Sequence, residues 1–201
     1  MRGLEQIPWL YDLGLSLAER GVVGRWRRWL AGGARGRTLD LGTGTGRNLP
    51  LAPGEVRILA LDPHPQNLAR ARRRGPGVPM VRARAEALPF RDGAFDTVLC
   101  ALVLCSVEDP PRALAELRRV LRPGGDLRAM EHVRPAGLAG RIHDLLQPAW
   151  TWVTGGCHPN RDTERAIADA GFALVPASRE ARGNLRRLEA RAPLSRGPDS
   201  R

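Results

Sequence analysis

The stretch LDLGTGTGRNL, Leu39 to Leu49, sets Asp40 in an apolar run and then places glycine at three alternating positions, Gly42, Gly44 and Gly46. Glycine accepts positive φ and lets another group approach the backbone, so a glycine-rich turn after a buried strand is a common cradle for an anion or a nucleotide. The dinucleotide fingerprint G-x-G-x-x-G/A is not met. Its third small position falls on Arg47 counted from Gly42, and a count from Gly44 gives no match either. Twenty residues beyond Gly42, Asp62 closes the next apolar run, where a carboxylate can accept hydrogen bonds from two ribose hydroxyls. An Asp ahead of Pro63 and a helix also reads as a cap. Loop and acid together point to an adenosine-containing ligand.

The elements that would position these residues follow from the pattern around them. Short apolar runs alternate with helical patterns from Thr38 onward, the signature of β-α-β units and a parallel sheet. TLDLG predicts the first strand, VRILALD (Val56 to Asp62) the second, PMVRARA the third, FDTVLCALVLC (Phe95 to Cys105) a buried fourth and DLRAMEHV the fifth. PQNLARARRR predicts a helix with Leu68 inward. PPRALAELRRVL predicts another, with Ala113, Leu114, Leu117, Val120 and Leu121 at near-helical spacing and Pro123-Gly124-Gly125 ending it. RDTERAIADAG is the last clear helix and leads into FALVP, and NLRRLEARA (Asn184 to Ala192) reads as a closing strand. Gly42, Asp62, Ala85, Cys100 and Glu131 then stand at or just past the carboxyl ends of strands, where open parallel sheets bind ligands.

A chain of 201 residues, 42% of them hydrophobic, suits one domain with a sizeable core. No apolar stretch approaches the ~20 residues of a membrane span, and MRGLEQIPWLYDLG lacks the regions of a signal peptide, so a soluble cytoplasmic protein is expected. Cys100, Cys105 and Cys157 are odd in number and show no C-x-x-C spacing. They suggest neither a disulfide framework nor a metal site and read as small buried hydrophobes. The net charge of +11 is carried by Arg without any Lys, a compositional bias that is a weak guide to partners. With no nucleic-acid-binding motif beside it, a nucleic-acid partner is not expected. GRWRRWL, Gly24 to Leu30, suits an interfacial helix in peripheral membrane contact and equally a solvated helix with its Trp side chains in the core. All Trp and Tyr residues lie outside Thr38 to Val133, in flanking segments that suit a lid. The expected division is a helical, aromatic and basic lid over residues 1–36, a ligand-binding domain over 37–192 and a disordered tail over 193–201.

TLDLGTGTGRNL, ALDPHPQNLARAR, AEALPFRDGAFDTVLCALVLCSV, ALAELRRVLRPGG and EHV resemble the successive motifs of class I S-adenosylmethionine-dependent methyltransferases. Within that group the chain is similar to quinone-biosynthesis methyltransferases. LVLCSVEDPPRALAELRRVLRPGGDLRAMEHV and QPAWTWVTGGCHPNRDTERAIADAGF resemble bacterial relatives of the methyltransferase-like thiol S-methyltransferases. The resemblance implies a single-domain, Rossmann-like α/β fold with a mostly parallel central sheet and helices on both faces. It also implies S-adenosylmethionine as cofactor. Asp40 and the Gly42-Gly44-Gly46 turn would hold its methionine part, Asp62 its ribose, Ala85 and Glu86 its adenine edge, and Ala101 would line the methionine side. Tyr11, Thr43, Asn48 and Pro63 join the cofactor-binding set on the same ground. Many quinone-type relatives have Asp before AEALPF, where this chain has Arg84, which offers no acceptor. Adenine recognition then rests on backbone groups or on Glu86.

Methyl transfer from a sulfonium needs an in-line nucleophile and exclusion of water, so positioning can supply most of the catalysis. A thiol acceptor, with a pKa near 8.5, needs little help from a base, whereas a quinol carbon or hydroxyl needs more. Glu131, His132 and His158 are the candidate helpers. Each also has a plainer reading: a paired buried carboxylate, a strand-end donor and a loop residue. The expected acceptor is a small apolar molecule, a thiol or alternatively a quinone-type or lipid substrate. A nicotinamide dehydrogenase and a non-catalytic basic binding module are the rivals from other classes.

Overall fold

The computed structural model describes residues 21–154 and 156–195. Most of the expected lid, including Tyr11, and residues 196–201 of the expected tail lie outside the described residues.

Five parallel strands build one side of the sheet: β1 (Arg37–Leu41), β2 (Arg57–Leu61), β3 (Met80–Val81), β4 (Phe95–Ala101) and β5 (Leu121–His132). Three more, β6 (Ala173–Leu174), β7 (Glu180–Arg182) and β8 (Leu185–Arg191), close it antiparallel. The order is β3-β2-β1-β4-β5-β8-β6, with β7 on β8. Strand order therefore reverses between β1 and β4. The register matters there: Leu41 pairs with both Leu61 and Cys100. The residues that follow, Gly42, Asp62 and Ala101, stand side by side at the reversal point, the expected ligand crevice, with Ala101 still paired to Met130 of β5.

Alternation along the strands feeds two cores. In β4, Val98 and Cys100 face one side and Leu99 the other. The first side is covered by α3 (Pro110–Val120) and α5 (Thr163–Asp169), through Ala113, Leu114, Leu117, Val120 and Ile167. The second is covered by α1 (Val22–Gly32), whose Trp26, Leu30 and Ala31 pack on Leu99 and Met130. Both Trp side chains of GRWRRWL turn toward the protein: Trp26 is buried, and Trp29 lies under the guanidinium of Arg128, 4.1 Å from its ring centroid. Arg128 also donates to the carbonyls of Leu30 and Trp29, so a cation caps the C-terminal end of α1 where the helix dipole favours it. Helix α2 (Pro65–Arg74) packs Ala71 on Ala60 and Leu49.

The structure has the expected α/β class, mostly parallel sheet and helices on both faces, with shorter strands in two places. β4 ends at Ala101 instead of Cys105 because Leu102 turns to φ 61°, out of the extended region. β3 keeps only Met80–Val81 of PMVRARA. Helix α4 (Gly137–Thr154) has no counterpart in the sequence reading. Its apolar residues Leu138, Ile142, Leu145, Leu146, Trp150 and Trp152 are exposed, so no buried stripe marks it, and Pro148 inside it argues against a helix. Among the described residues no helix is long and apolar enough to cross a membrane.

Candidate active site

The glycine turn runs from β1 into a single 3₁₀ turn, Leu49–Leu51, which Pro53 stops by holding Ala52 extended. A pyrophosphate would ordinarily rest on a helix N-terminus at this place. The loop offers backbone N–H groups without that dipole, which suits a ligand that is not a dinucleotide. Two of its glycines have separate reasons. Gly46, at φ 83°, sits so close to α2 that a Cβ would stand 2.8 Å from the Ala71 Cα. Gly44, at φ 56°, has no atom nearer than 4.0 Å to where its Cβ would be and forms part of the wall of a cleft.

That cleft, of about 290 Å³, opens at the reversal point of the sheet. Leu41 and Leu61 form its apolar floor, with Gly42 and Gly44 from the glycine turn, and Asp62, Pro63, His64 and Asn67 from the start of α2. Arg84, Ala85, Glu86 and Glu108 line one end, and Ala101, Leu102, Val103, Ser106 and Val107 the other wall. Asp62 accepts from Gly44 N at 2.9 Å, from His64 N at 2.9 Å and from Asn67 Nδ2 at 3.1 Å. Burial raises its pKa, and these three hydrogen bonds oppose the rise. Two carboxylate oxygens have about four acceptor positions, so the fixed Asp62 retains capacity for a ligand hydroxyl. Asn67 escaped the sequence reading. Its signal was the spacing: five residues past Asp62 and in the first turn of α2, it reaches back to the strand end.

At the far end Arg84 pairs with Glu108 at 2.7 Å and lies 3.6 Å from Glu86. Glu86 Oε1 accepts from the N–H groups of Glu108 and Asp109, tying the segment after β3 to the start of α3. Burial works against the Glu86 charge, but these backbone donors and Arg84 outweigh it and lower its pKa.

Asp40, Thr43 and Asn48 sit together behind the turn, outside the residues that line the cleft. Thr43 Oγ1 donates to one Asp40 oxygen and Asn48 Nδ2 to the other, and Arg27 of α1 donates to Asn48 Oδ1 at 2.7 Å. Burial pushes the Asp40 carboxyl up to about 6, against the pull of Thr43, Asn48 and Arg27. The buried acid shapes the turn from beneath.

The three candidate helpers fall outside the cleft lining as well. Glu131 is buried; its Oε1 accepts from Val103 N at 2.8 Å and Cys100 Sγ at 3.3 Å, and its Oε2 from Cys105 N at 3.2 Å. With Leu102 N donating to Met130 O, these bonds replace the strand ladder and hold Leu102 at its positive φ. Glu131 thus builds the wall formed by Leu102 and Val103. His132 Nδ1 lies 3.7 Å from Cys105 Sγ and 3.6 Å from Cys157 Sγ. His158 Nδ1 meets Gln147 Nε2 of α4 at 2.7 Å, and burial and then Arg161 lower its pKa. Sequence spacing gave no hint that Cys105 and Cys157 meet, because they come from segments fifty-two residues apart.

An open sheet of order 3-2-1-4-5 with a glycine turn after β1 and an acid after β2 defines a Rossmann-like nucleoside-binding protein. A family model described as a methyltransferase domain matches residues 39–129, the span from β1 into β5 that carries most of the cleft. The chain is 36% identical over 159 residues to the thiol S-methyltransferase TMT1B of Homo sapiens, covering 74% of this chain and 65% of that protein. It is 30% identical over 198 residues to the ubiquinone/menaquinone biosynthesis C-methyltransferase UbiE of Shewanella halifaxensis, covering 82% of this chain and 79% of the relative. A SAM-dependent methyltransferase of Thermotoga maritima matches in fold with a TM-score of 0.73 over 94% of this chain and 97% of its own, at 24% identity. The chain belongs to the class I S-adenosylmethionine-dependent methyltransferases. It spans 60–65% of the length of the thiol S-methyltransferases it matches. S-adenosylmethionine is the cosubstrate that family and fold imply. The residues present fit it: an open backbone at Gly44, a fixed carboxylate at Asp62 with an acceptor position left for a hydroxyl, and an apolar floor.

Proposed function

We propose that this chain transfers the methyl group of S-adenosylmethionine to a small apolar thiol. Asp62 holds the ribose, Gly42 and Gly44 let the cosubstrate lie against the backbone, and Ala85 with Glu86 borders the adenine. Asp40, Thr43, Gly46 and Asn48 keep the turn in shape. Bound there, S-adenosylmethionine supplies an electrophilic methyl carbon on a sulfonium. The acceptor sulfur, its proton already lost to water, forms the new C–S bond as the sulfonium bond breaks, and S-adenosylhomocysteine is released.

The observation that carries the thiol reading is the wall past β4. Ala101, Leu102, Val103, Ser106 and Val107 present apolar surface and one hydroxyl but no group that titrates as a base. Glu131, the carboxylate that β5 sets behind that wall, has both oxygens engaged, one by Val103 N and the other by Cys105 N. A thiolate needs no such base, since a thiol of cysteine-like acidity or stronger ionises appreciably just above neutral pH. The likeness to the thiol S-methyltransferase points the same way. The test is S-adenosylhomocysteine release with a series of alkyl and aryl thiols, beside a demethylated quinol. Turnover of thiols alone supports the reading; turnover of the quinol alone overturns it in favour of ring methylation.

A further inference from the structure

Three side chains that the methyl-transfer site does not use converge beside it. Cys105 comes from the turn after β4, His132 from the last position of β5, and Cys157 from the loop between α4 and α5. Cys105 Sγ and Cys157 Sγ are 3.8 Å apart, and His132 Nδ1 is 3.7 Å and 3.6 Å from them. Both sulfurs are buried.

These edges are those of one face of a metal tetrahedron. With Zn–S near 2.3 Å and Zn–N near 2.0–2.1 Å, tetrahedral angles set ligand atoms about 3.8 Å apart for two sulfurs and about 3.5–3.6 Å for sulfur and nitrogen. No ligand has to move by more than about 0.2 Å to meet that geometry. A disulfide, by contrast, requires the sulfurs at about 2.05 Å, an approach of well over 1 Å. The positions are also fixed by the backbone around them. Cys105 N donates to Glu131, Cys105 O accepts from His158 N, and Cys157 O accepts from Thr151 Oγ1. The three segments are thereby held together before any ion arrives.

We propose that Cys105, His132 and Cys157 bind one soft divalent cation, with Zn²⁺ the best match in geometry and ligand type. Two thiol protons leave to solvent as the cation enters, and the neutral imidazole donates through Nδ1. Three protein ligands leave one tetrahedral position for water or another donor. Ser106, which lines the cleft, has its Oγ 3.7 Å from Cys105 Sγ, so the ion would sit one side chain behind the acceptor wall.

The full chain, reduced with a phosphine and stripped of metal, is titrated with Zn²⁺ against a chromophoric chelator and separately with Co²⁺. The expected result is one equivalent bound, with a sulfur-to-cobalt charge-transfer band and the visible bands of tetrahedral Co²⁺. Cys157→Ser and His132→Ala should each weaken binding at least tenfold, while Cys100→Ser, whose thiol faces Glu131, binds as the wild type does. Circular dichroism and S-adenosylhomocysteine binding confirm that each variant is folded, and the readout is independent of methyl transfer. A folded, reduced wild type that takes up neither ion overturns the proposal. So does binding that survives both ligand substitutions.

Discussion

The Gly44 N–H donates to Asp62 Oδ2 at 2.9 Å, so the middle of the glycine turn and the end of β2 are one rigid unit on the cleft wall. Asp62 fixes the turn, and in the proposed function it also offers its remaining acceptor capacity to a ribose. Asp62→Ala should lower S-adenosylmethionine affinity at least a hundredfold, while Asp62→Asn, which keeps one acceptor oxygen, should cost less. Titration calorimetry on both variants checks this. Affinity unchanged in Asp62→Ala would remove the residue from the cofactor site.

Gly44 and Gly46 separate a binding role from a packing role. Gly46→Ala forces a methyl group against the Ala71 Cα at 2.8 Å in a left-handed backbone, so stability should fall by about 2–4 kcal/mol. In thermal melts of the free protein that is a drop of about 5–15 °C. Gly44→Ala has open space in front of it and should lose only the backbone strain, about 1–2 kcal/mol. Its new methyl group stands in the cleft, and S-adenosylmethionine affinity should fall at least tenfold. The opposite ranking in both assays would mean that the ligand lies elsewhere.

The strands and the turn could be read in the sequence because their causes are local. Apolar runs, the glycine spacing and Asp62 at a strand end all express themselves within a few residues. The acceptor wall could not. Leu102 leaves the strand because Glu131, on the neighbouring strand, draws in the N–H groups of Val103 and Cys105. A purely apolar string such as VLCALVLC carries no mark of that. Helix α4 was hidden for the converse reason, since its apolar side chains remain exposed and leave no buried periodicity. The Cys105, His132 and Cys157 cluster depends on three segments brought together by the sheet, beyond the reach of any spacing rule.

Asp40 links the turn's shape to pH. Its carboxyl in the folded protein is pushed up to about 6, from 3.8. The folded state therefore holds this proton more tightly than the unfolded state. The stability this confers is full below pH 3.8 and is lost as pH rises through 6, leaving a cost on the order of 3 kcal/mol at neutral pH. Asp40→Asn removes the charge, keeps an acceptor for Asn48 and lets the Thr43 hydroxyl reverse its role. The free variant should melt above the wild type at pH 8, with the gap closing toward pH 5. Equal melting temperatures at pH 8 would show that the buried charge is fully compensated.

Glu131 is the test of positioning against base catalysis. Glu131→Gln has one acceptor oxygen for donors on both sides, so the Cys105 N–H loses its partner, at a cost of about 1–3 kcal/mol. The Leu102 turn should loosen, the acceptor KM should rise severalfold and kcat should hold within about tenfold. A general base would behave differently: kcat falling about 10²–10⁴-fold in a protein that melts as the wild type does.

The acceptor atom has its own signature in the pH profile. If a thiolate formed in water is the nucleophile, kcat/KM at subsaturating thiol should rise about tenfold per pH unit and level off near the acceptor's own pKa, about 8.5 for a thiol of cysteine-like acidity. Changing the acceptor then moves the profile. An aryl thiol of lower pKa should reach its plateau at correspondingly lower pH on the same enzyme. A base on the protein would fix the inflection at one pH for every acceptor, because the titrating group stays with the enzyme. Rate profiles for three thiols of graded acidity distinguish the two, and a common inflection for all three would reject transfer to a preformed thiolate.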